Sequence, residues 1–273
     1  MLNGVTMITE KKYIKTKDGN LKLTILRPKK TNRLLPGILW FHGGGYESGG
    51  AYWVHFTIGK KLAKKFGGIV ISPEYRTSKK NPYPAAFDDC TRTLEYVYNN
   101  AEKLGINKNK IIVGGESAGG GLAVAVCLYA RDIAKIPIKL QIPLYPMLDC
   151  DDTESSKNNN GYNWNTKKNH RGWSRYLGEL YKSGNVPKYA SPSKEIDYSN
   201  LPPCYTYVLD GEPFLQETID YIDNLQKSNV VAKLDIYHGS LHGFDMLFWT
   251  KKAKKAKNVL YNDVRMYFED EKN

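Results

Sequence analysis

The sequence has no apolar run near the ~18 residues that a membrane span requires, and Met1–Lys17 has no apolar core of the kind a secretory signal carries. Cysteine is scarce. Cys90, Cys127, Cys150 and Cys204 lie far apart and form no CxxC pair, which excludes a zinc ribbon and a disulfide scaffold. Two of them sit among apolar, strand-like neighbours, as reduced and buried thiols do. There is no internal repeat. Together these absences exclude an integral membrane protein, a coiled coil, a collagen-like chain and a disordered one. They lead us to expect a soluble cytoplasmic protein.

What is present is ordinary in bulk. Of 273 residues, 41% are hydrophobic and 25% charged, with 24 Gly and 13 Pro, enough for one globular domain with a substantial core. The net charge of +12 raises nucleic acid or an anionic surface as partners. The lysines are scattered, however, and the single dense run is Lys251, Lys252, Lys254, Lys255 and Lys257. With no zinc spacing and no RNA-binding aromatic signature, we read a solvated basic face and expect no nucleic-acid partner.

Along the chain, residues 11–27 alternate around Asp18-Gly19 as a β-hairpin does. A wholly apolar strand, Ile38–Phe41, follows Pro36-Gly37, with a helix expected over 54–66 and a second apolar strand over 69–71. Ala85–Leu104 has helical spacing and a candidate C-cap in Gly105. Strand 111–113, helix 122–131 and strand 139–144 come next. Strands 205–209 and 233–237 flank a helix over 216–228, and a last helix covers 251–268. Short apolar strands separated by helices indicate an α/β fold with a mostly parallel sheet covered on both faces. Residues 150–185 interrupt the alternation. With five aromatics (Tyr162, Trp164, Trp173, Tyr176 and Tyr181) they read as an insertion above the sheet, either walling a pocket or packing a cap on the body.

The chemistry concentrates in three places. Gly115-Glu116-Ser117-Ala118-Gly119 sits between a strand and a helix, the context in which GxSxG forms a nucleophile elbow. Such a turn is tight enough to demand small flanking residues, and it aims a helix N-terminus at the reacting carbonyl. The bland alternative is a glycine turn whose serine caps the helix. His42-Gly43-Gly44-Gly45 follows a buried strand, and consecutive glycines can turn backbone N–H groups toward an oxyanion. No GK[ST] follows, which argues against a phosphate loop. His42 lies upstream of the serine and reads as a residue that fixes the loop by hydrogen bonds.

The base must follow Ser117 if the order is serine, acid, histidine. His242 lies just past the last strand and is preferred, with His238 in reserve; His170 and His55 read as surface residues. The acid belongs to the turn after strand 205–209, Asp210-Gly211-Glu212-Pro213, where Glu212 sits deeper and Asp210 is the rival.

HGGG, GESAGG, an acid-Pro-Phe turn and HGF, with Pro73-Glu74-Tyr75-Arg76 and Tyr83-Pro84-Ala85-Ala86 between them, resemble the hormone-sensitive-lipase-like bacterial esterases. The likeness runs from about Pro36 to Phe244. It implies a single α/β-hydrolase domain over 1–273 with a cap insertion at about 150–185, and a carboxylesterase-type serine hydrolase acting on short-chain acyl or acetyl esters. Carried over by position, the nucleophile is Ser117, the base His242 and the acid Glu212. The oxyanion donors are the N–H groups of Gly44, Gly45 and Ala118. No metal or other cofactor is implied, the partner is a small-molecule ester, and a homodimer would form through the edge strand Lys233–Tyr237. Two features depart from the family pattern: glutamate where aspartate is common, and a hairpin where the family has an N-terminal helical segment. The alternatives are a peptidase or amide hydrolase on the same fold and a non-catalytic binding protein that keeps the scaffold.

Overall fold

Eight strands form one sheet in a computed structural model that describes residues 6–269. In chain order the strands are β1 (Met7–Thr16), β2 (Gly19–Pro28), β3 (Leu35–Phe41), β4 (Ile69–Pro73), β5 (Ile106–Glu116), β6 (Leu140–Leu144), β7 (Cys204–Leu209) and β8 (Ala232–Tyr237). They lie side by side as β1-β2-β4-β3-β5-β6-β7-β8. β2 runs antiparallel to both β1 and β4, and every pairing from β4 to β8 is parallel. The hairpin expected from Asp18-Gly19 therefore forms the antiparallel edge.

Every residue of β3, β4, β6 and β7 is buried, which is why these strands read as unbroken apolar runs instead of alternating ones. The helices α1 (Ile58–Phe66), α2 (Ala85–Asn99), α3 (Ala118–Tyr129), α4 (Thr166–Leu177), α5 (Leu215–Lys227) and α6 (Lys251–Phe268) cover the sheet. Two separate apolar clusters result. One holds α2, α3 and α5 against one face, and the other holds α1 and α6 against the opposite face. α3 is apolar all round and buried along almost its whole length, as suits a helix lodged in the middle of a layered fold.

Two expected helices are shorter than their patterns suggest. The 54–66 stretch splits into a 3₁₀ turn, Ala51–His55, and α1, because Thr57 takes the extended conformation of an N-cap. The 85–104 stretch breaks at Asn100, whose side-chain amide donates to the Tyr96 carbonyl (2.9 Å), leaving a separate 3₁₀ turn before Gly105. Gly105 does cap that turn, with φ of 75°. All four cysteines are buried and free.

Candidate active site

The turn between β5 and α3 is a single residue. Ser117 is held at φ 57° and ψ −122°, a backbone conformation that L side chains seldom adopt. Its surroundings leave it little choice. The Ser117 N–H donates to the Leu144 carbonyl (3.0 Å), and its own carbonyl accepts from Gly121 (3.0 Å) and Met147 (3.1 Å). A Cβ at Gly115 would stand 2.4 Å from the Gly119 oxygen, and one at Gly119 would stand 2.1 Å from the Phe41 oxygen. Both glycines are therefore required by close backbone approach.

His242 hangs from the loop after β8. Its Nε2 lies 2.9 Å from Ser117 Oγ, and its Nδ1 lies 2.5 Å from Glu212 Oε2. The Glu212 side chain is fully buried and that of His242 is 11% exposed. A second Glu212 oxygen accepts from the Leu209 N–H (3.4 Å). Asp210, the rival acid, faces elsewhere: it pairs with His238 Nδ1 (2.8 Å) and accepts from the Gly239 N–H (2.8 Å). The His238 side chain is 95% exposed. His170 meets the exposed Asp152 at 2.7 Å. Serine, histidine and Glu212 are thus brought together, while His238, His170 and Asp210 are not part of that set.

The glycine run after β3 closes the other side. His42 stacks on Tyr75 with ring centroids 4.0 Å apart, and the Tyr75 hydroxyl donates to the His42 carbonyl (2.8 Å). His42 Nδ1 lies 2.8 Å from the Gly43 oxygen, and burial lowers the imidazole pKa to about 4, so the ring is neutral. This is the loop-fixing role its position suggested. Gly44 and Gly45 have φ of 119° and 60°, which only glycine takes without strain. Among the described residues, the N–H groups of Gly44, Gly45 and Ala118 donate to no protein acceptor.

Other residues escaped the sequence reading. Asn163 clasps the main chain of His242 from both sides, its amide donating to the His242 carbonyl (2.5 Å) and its oxygen accepting from the His242 N–H (3.1 Å). Glu116 lines the cavity with one oxygen bound to Trp40 Nε1 (2.7 Å). Burial first, then the charge of Asp245, pushes its carboxyl up to about 8. Asp245 accepts from the hydroxyls of Tyr145 (2.7 Å) and Tyr207 (2.8 Å). Apolar periodicity could not have found these groups. A carboxylate beside each catalytic-type motif, in GES and HGFD, was the one available signal.

The cavity at Ser117 holds about 380 Å³. Of the five aromatics in the insertion, only Trp164 lines it; Trp173 and Tyr176 are core residues and Tyr162 is exposed. The remaining aromatic wall comes from Tyr145 and from Tyr52, Trp53 and Phe56, the last three in and just after the 3₁₀ turn that precedes α1.

Comparison with known proteins bears on this arrangement. A family model described as alpha/beta hydrolase fold matches residues 38–246. An arylesterase of Saccharolobus solfataricus is 31% identical over 238 residues, covering 85% of this chain and 75% of the relative. A carboxylesterase of Mycobacterium tuberculosis is 29% identical over 216 residues, covering 77% of this chain and 66% of that protein. The solved structure of a bacterial heroin esterase superposes with a TM-score of 0.91 at 29% identity, covering 99% of this chain and 86% of that one.

Proposed function

The chain belongs to the α/β-hydrolase family, in its hormone-sensitive-lipase-like branch, and from that premise we propose that it hydrolyses short-chain carboxylic esters through Ser117, His242 and Glu212. The observation that carries this reading is the unbroken hydrogen-bond chain from Ser117 Oγ through the His242 ring to Glu212. Among the described residues, no second acid or histidine competes for either ring nitrogen.

In the reaction, His242 Nε2 takes the Ser117 proton as Oγ attacks the ester carbonyl. Glu212 fixes the ring so that Nδ1 carries its proton toward the carboxylate, and it stabilises the imidazolium that forms. The N–H groups of Gly44, Gly45 and Ala118 receive the oxyanion, and a single donor of this kind is worth ~10²–10³ in rate. His242 then returns the proton to the leaving alkoxide. Water, deprotonated by the same imidazole, attacks the acyl-enzyme and frees the acid. A cavity of about 380 Å³ with aromatic walls suits a small acyl group and an apolar or aryl alcohol.

The names of the relatives, arylesterase and carboxylesterase, support esters as the substrate class. Four buried, unpaired cysteines favour the cytoplasm. β8, the half-exposed outer strand, is where a homodimer would pair. The deciding experiment measures hydrolysis of p-nitrophenyl esters from acetyl to dodecanoyl, alongside p-nitroanilides, with wild type and Ser117→Ala. Turnover that peaks at short acyl groups, prefers esters and vanishes in the variant supports the proposal. A folded protein that cleaves only the anilides, or nothing, overturns it.

A further inference from the structure

Exposed apolar side chains stand at and just beside the mouth of the cavity, and no other described residue covers them. Tyr52, Trp53 and Phe56 stand on one side, and Met246, Phe248 and Trp249 on the loop that follows His242; all six are 44–63% exposed. Four of them, Tyr52, Trp53, Phe56 and Met246, also line the cavity itself, so both segments meet at its entrance.

Each apolar segment runs directly into a lysine-rich helix. Tyr52, Trp53 and Phe56 lead into α1 with Lys60, Lys61, Lys64 and Lys65. Phe248 and Trp249 lead into α6 with Lys251, Lys252, Lys254, Lys255 and Lys257. The lysines look scattered along the sequence, but the fold sets the two helices side by side. Phe66 stacks on Phe268 at 4.7 Å and meets Tyr261 at 5.8 Å. Lys65 from α1 and Lys257 from α6 both reach the Tyr261 ring, at 5.7 and 6.0 Å.

Residues 48–73 and 246–262 contain no aspartate or glutamate, so neither segment neutralises its own lysines. The nearest acids in sequence are occupied: Glu47 pairs with Arg171 (2.7 Å) and Arg175, Glu74 pairs with Lys22 (3.0 Å), Asp245 is buried between two tyrosine hydroxyls, and Asp263 pairs with Lys233 (2.8 Å).

We propose that this face docks on an anionic phospholipid surface, with the aromatic rim in the headgroup layer and the exposed lysines Lys64, Lys251, Lys254 and Lys255 of α1 and α6 on the phosphates. Lys60 and Lys252 are held by the His55 and His238 carbonyls, and Lys61 is half-buried. Amphipathic aromatic rings favour the membrane–water boundary. Apolar contact and basic charge act together in such binding, and neither alone gives a stable attachment. The orientation follows from the shared residues. Because the rim that touches lipid is also the cavity entrance, the site opens onto the bilayer and takes acyl esters dissolved in it. That last step rests on the hydrolase reading; the docking does not.

The test is co-sedimentation of the full chain with large unilamellar vesicles, either phosphatidylcholine alone or phosphatidylcholine mixed with phosphatidylglycerol. Binding to the mixed vesicles alone, released by salt, is the expected result. Lys254→Gln/Lys255→Gln should weaken it by roughly 5-fold per charge at low salt, and Phe248→Ser/Trp249→Ser should weaken it by about 10-fold. Both variants lie outside the cavity and should hydrolyse water-soluble p-nitrophenyl acetate like wild type, which shows that they are folded. Ser117→Ala should bind vesicles normally, so that loss of hydrolysis and loss of docking are read separately. Equal binding to both vesicle types, or to neither, overturns the proposal. So does a dimer that Phe248→Ser/Trp249→Ser splits into monomers, or retardation of duplex DNA by a protein that ignores vesicles.

Discussion

Two acid–histidine pairs stand at the tips of β7 and β8, built from almost the same stretch of chain. Asp210 meets His238 at 2.8 Å, and Glu212 meets His242 at 2.5 Å. Distance alone would not tell them apart. The first pair lies in solvent, with a His238 side chain that is 95% exposed and no third group on its other nitrogen among the described hydrogen bonds. The second is buried, is flanked by Tyr145, Trp164 and Phe214, and presents its free ring nitrogen to Ser117. A carboxylate beside an imidazole is a common surface event worth little in water. Exclusion of water strengthens the same contact, and the serine hydroxyl on the far nitrogen gives it a group to act on.

The difference can be broken at several points. The largest effect should come from removing the proposed nucleophile or base: Ser117→Ala or His242→Ala should lower kcat on p-nitrophenyl acetate by ~10⁴–10⁶-fold, whereas His238→Ala should leave it within about 2-fold, since a solvent-exposed ion pair contributes little. Asn163 sharpens the contrast, because only the buried pair has its histidine backbone clasped from the insertion. Asn163→Ala should cost about 10-fold in kcat through misplacement of the ring, with KM little changed, and Asn163→Asp should recover part of it by keeping the acceptor for the His242 N–H. Steady-state kinetics on purified variants checks both.

A smaller effect is pH-dependent. Glu116 ordinarily ionises near 4.5 and is pushed up to about 8 in the folded protein by burial and by Asp245. The folded state therefore holds a proton that the unfolded chain has released. This contribution to stability is fully present below about 4.5 and is lost as pH rises from there to about 8. Urea denaturation from pH 5 to 8 should show wild type losing stability relative to Glu116→Gln. Ionisation of Glu116 would also set a negative charge in the wall of the cavity that holds Ser117, so kcat should fall above pH 8 in wild type, and this limb should be absent from Glu116→Gln.

Much of this was legible in the sequence, and the reason is physical. Unbroken apolar runs such as Ile38–Phe41 betrayed parallel, doubly covered strands, and Gly115 and Gly119 are glycines because backbone atoms leave no room for a Cβ. Those constraints mark the motif itself, whether the crowding atom lies four residues on, as the Gly119 oxygen does for Gly115, or on another strand, as the Phe41 oxygen does for Gly119. Position in the turn favours Glu212 over Asp210 but leaves the rival open, since the difference depends on which carboxylate the turn buries. The role of Asn163 and the wall formed by Tyr52, Trp53 and Phe56 arise from segments far apart in the chain, meeting over the elbow. The insertion aromatics divide between the two roles open to them for the same reason: Trp164 lines the cavity, while Trp173 and Tyr176 fill the core against Tyr46.

The most direct measurement compares kcat/KM of Glu212→Gln and Asp210→Asn on p-nitrophenyl acetate, two changes that each remove one negative charge and almost no volume. Glu212→Gln should fall by ~10³–10⁴-fold, since the ring loses the partner that fixes its tautomer, and Asp210→Asn should stay within about 3-fold of wild type. Comparable losses in both, or a larger loss in Asp210→Asn, would contradict the assignment of the buried pair as the one that drives Ser117.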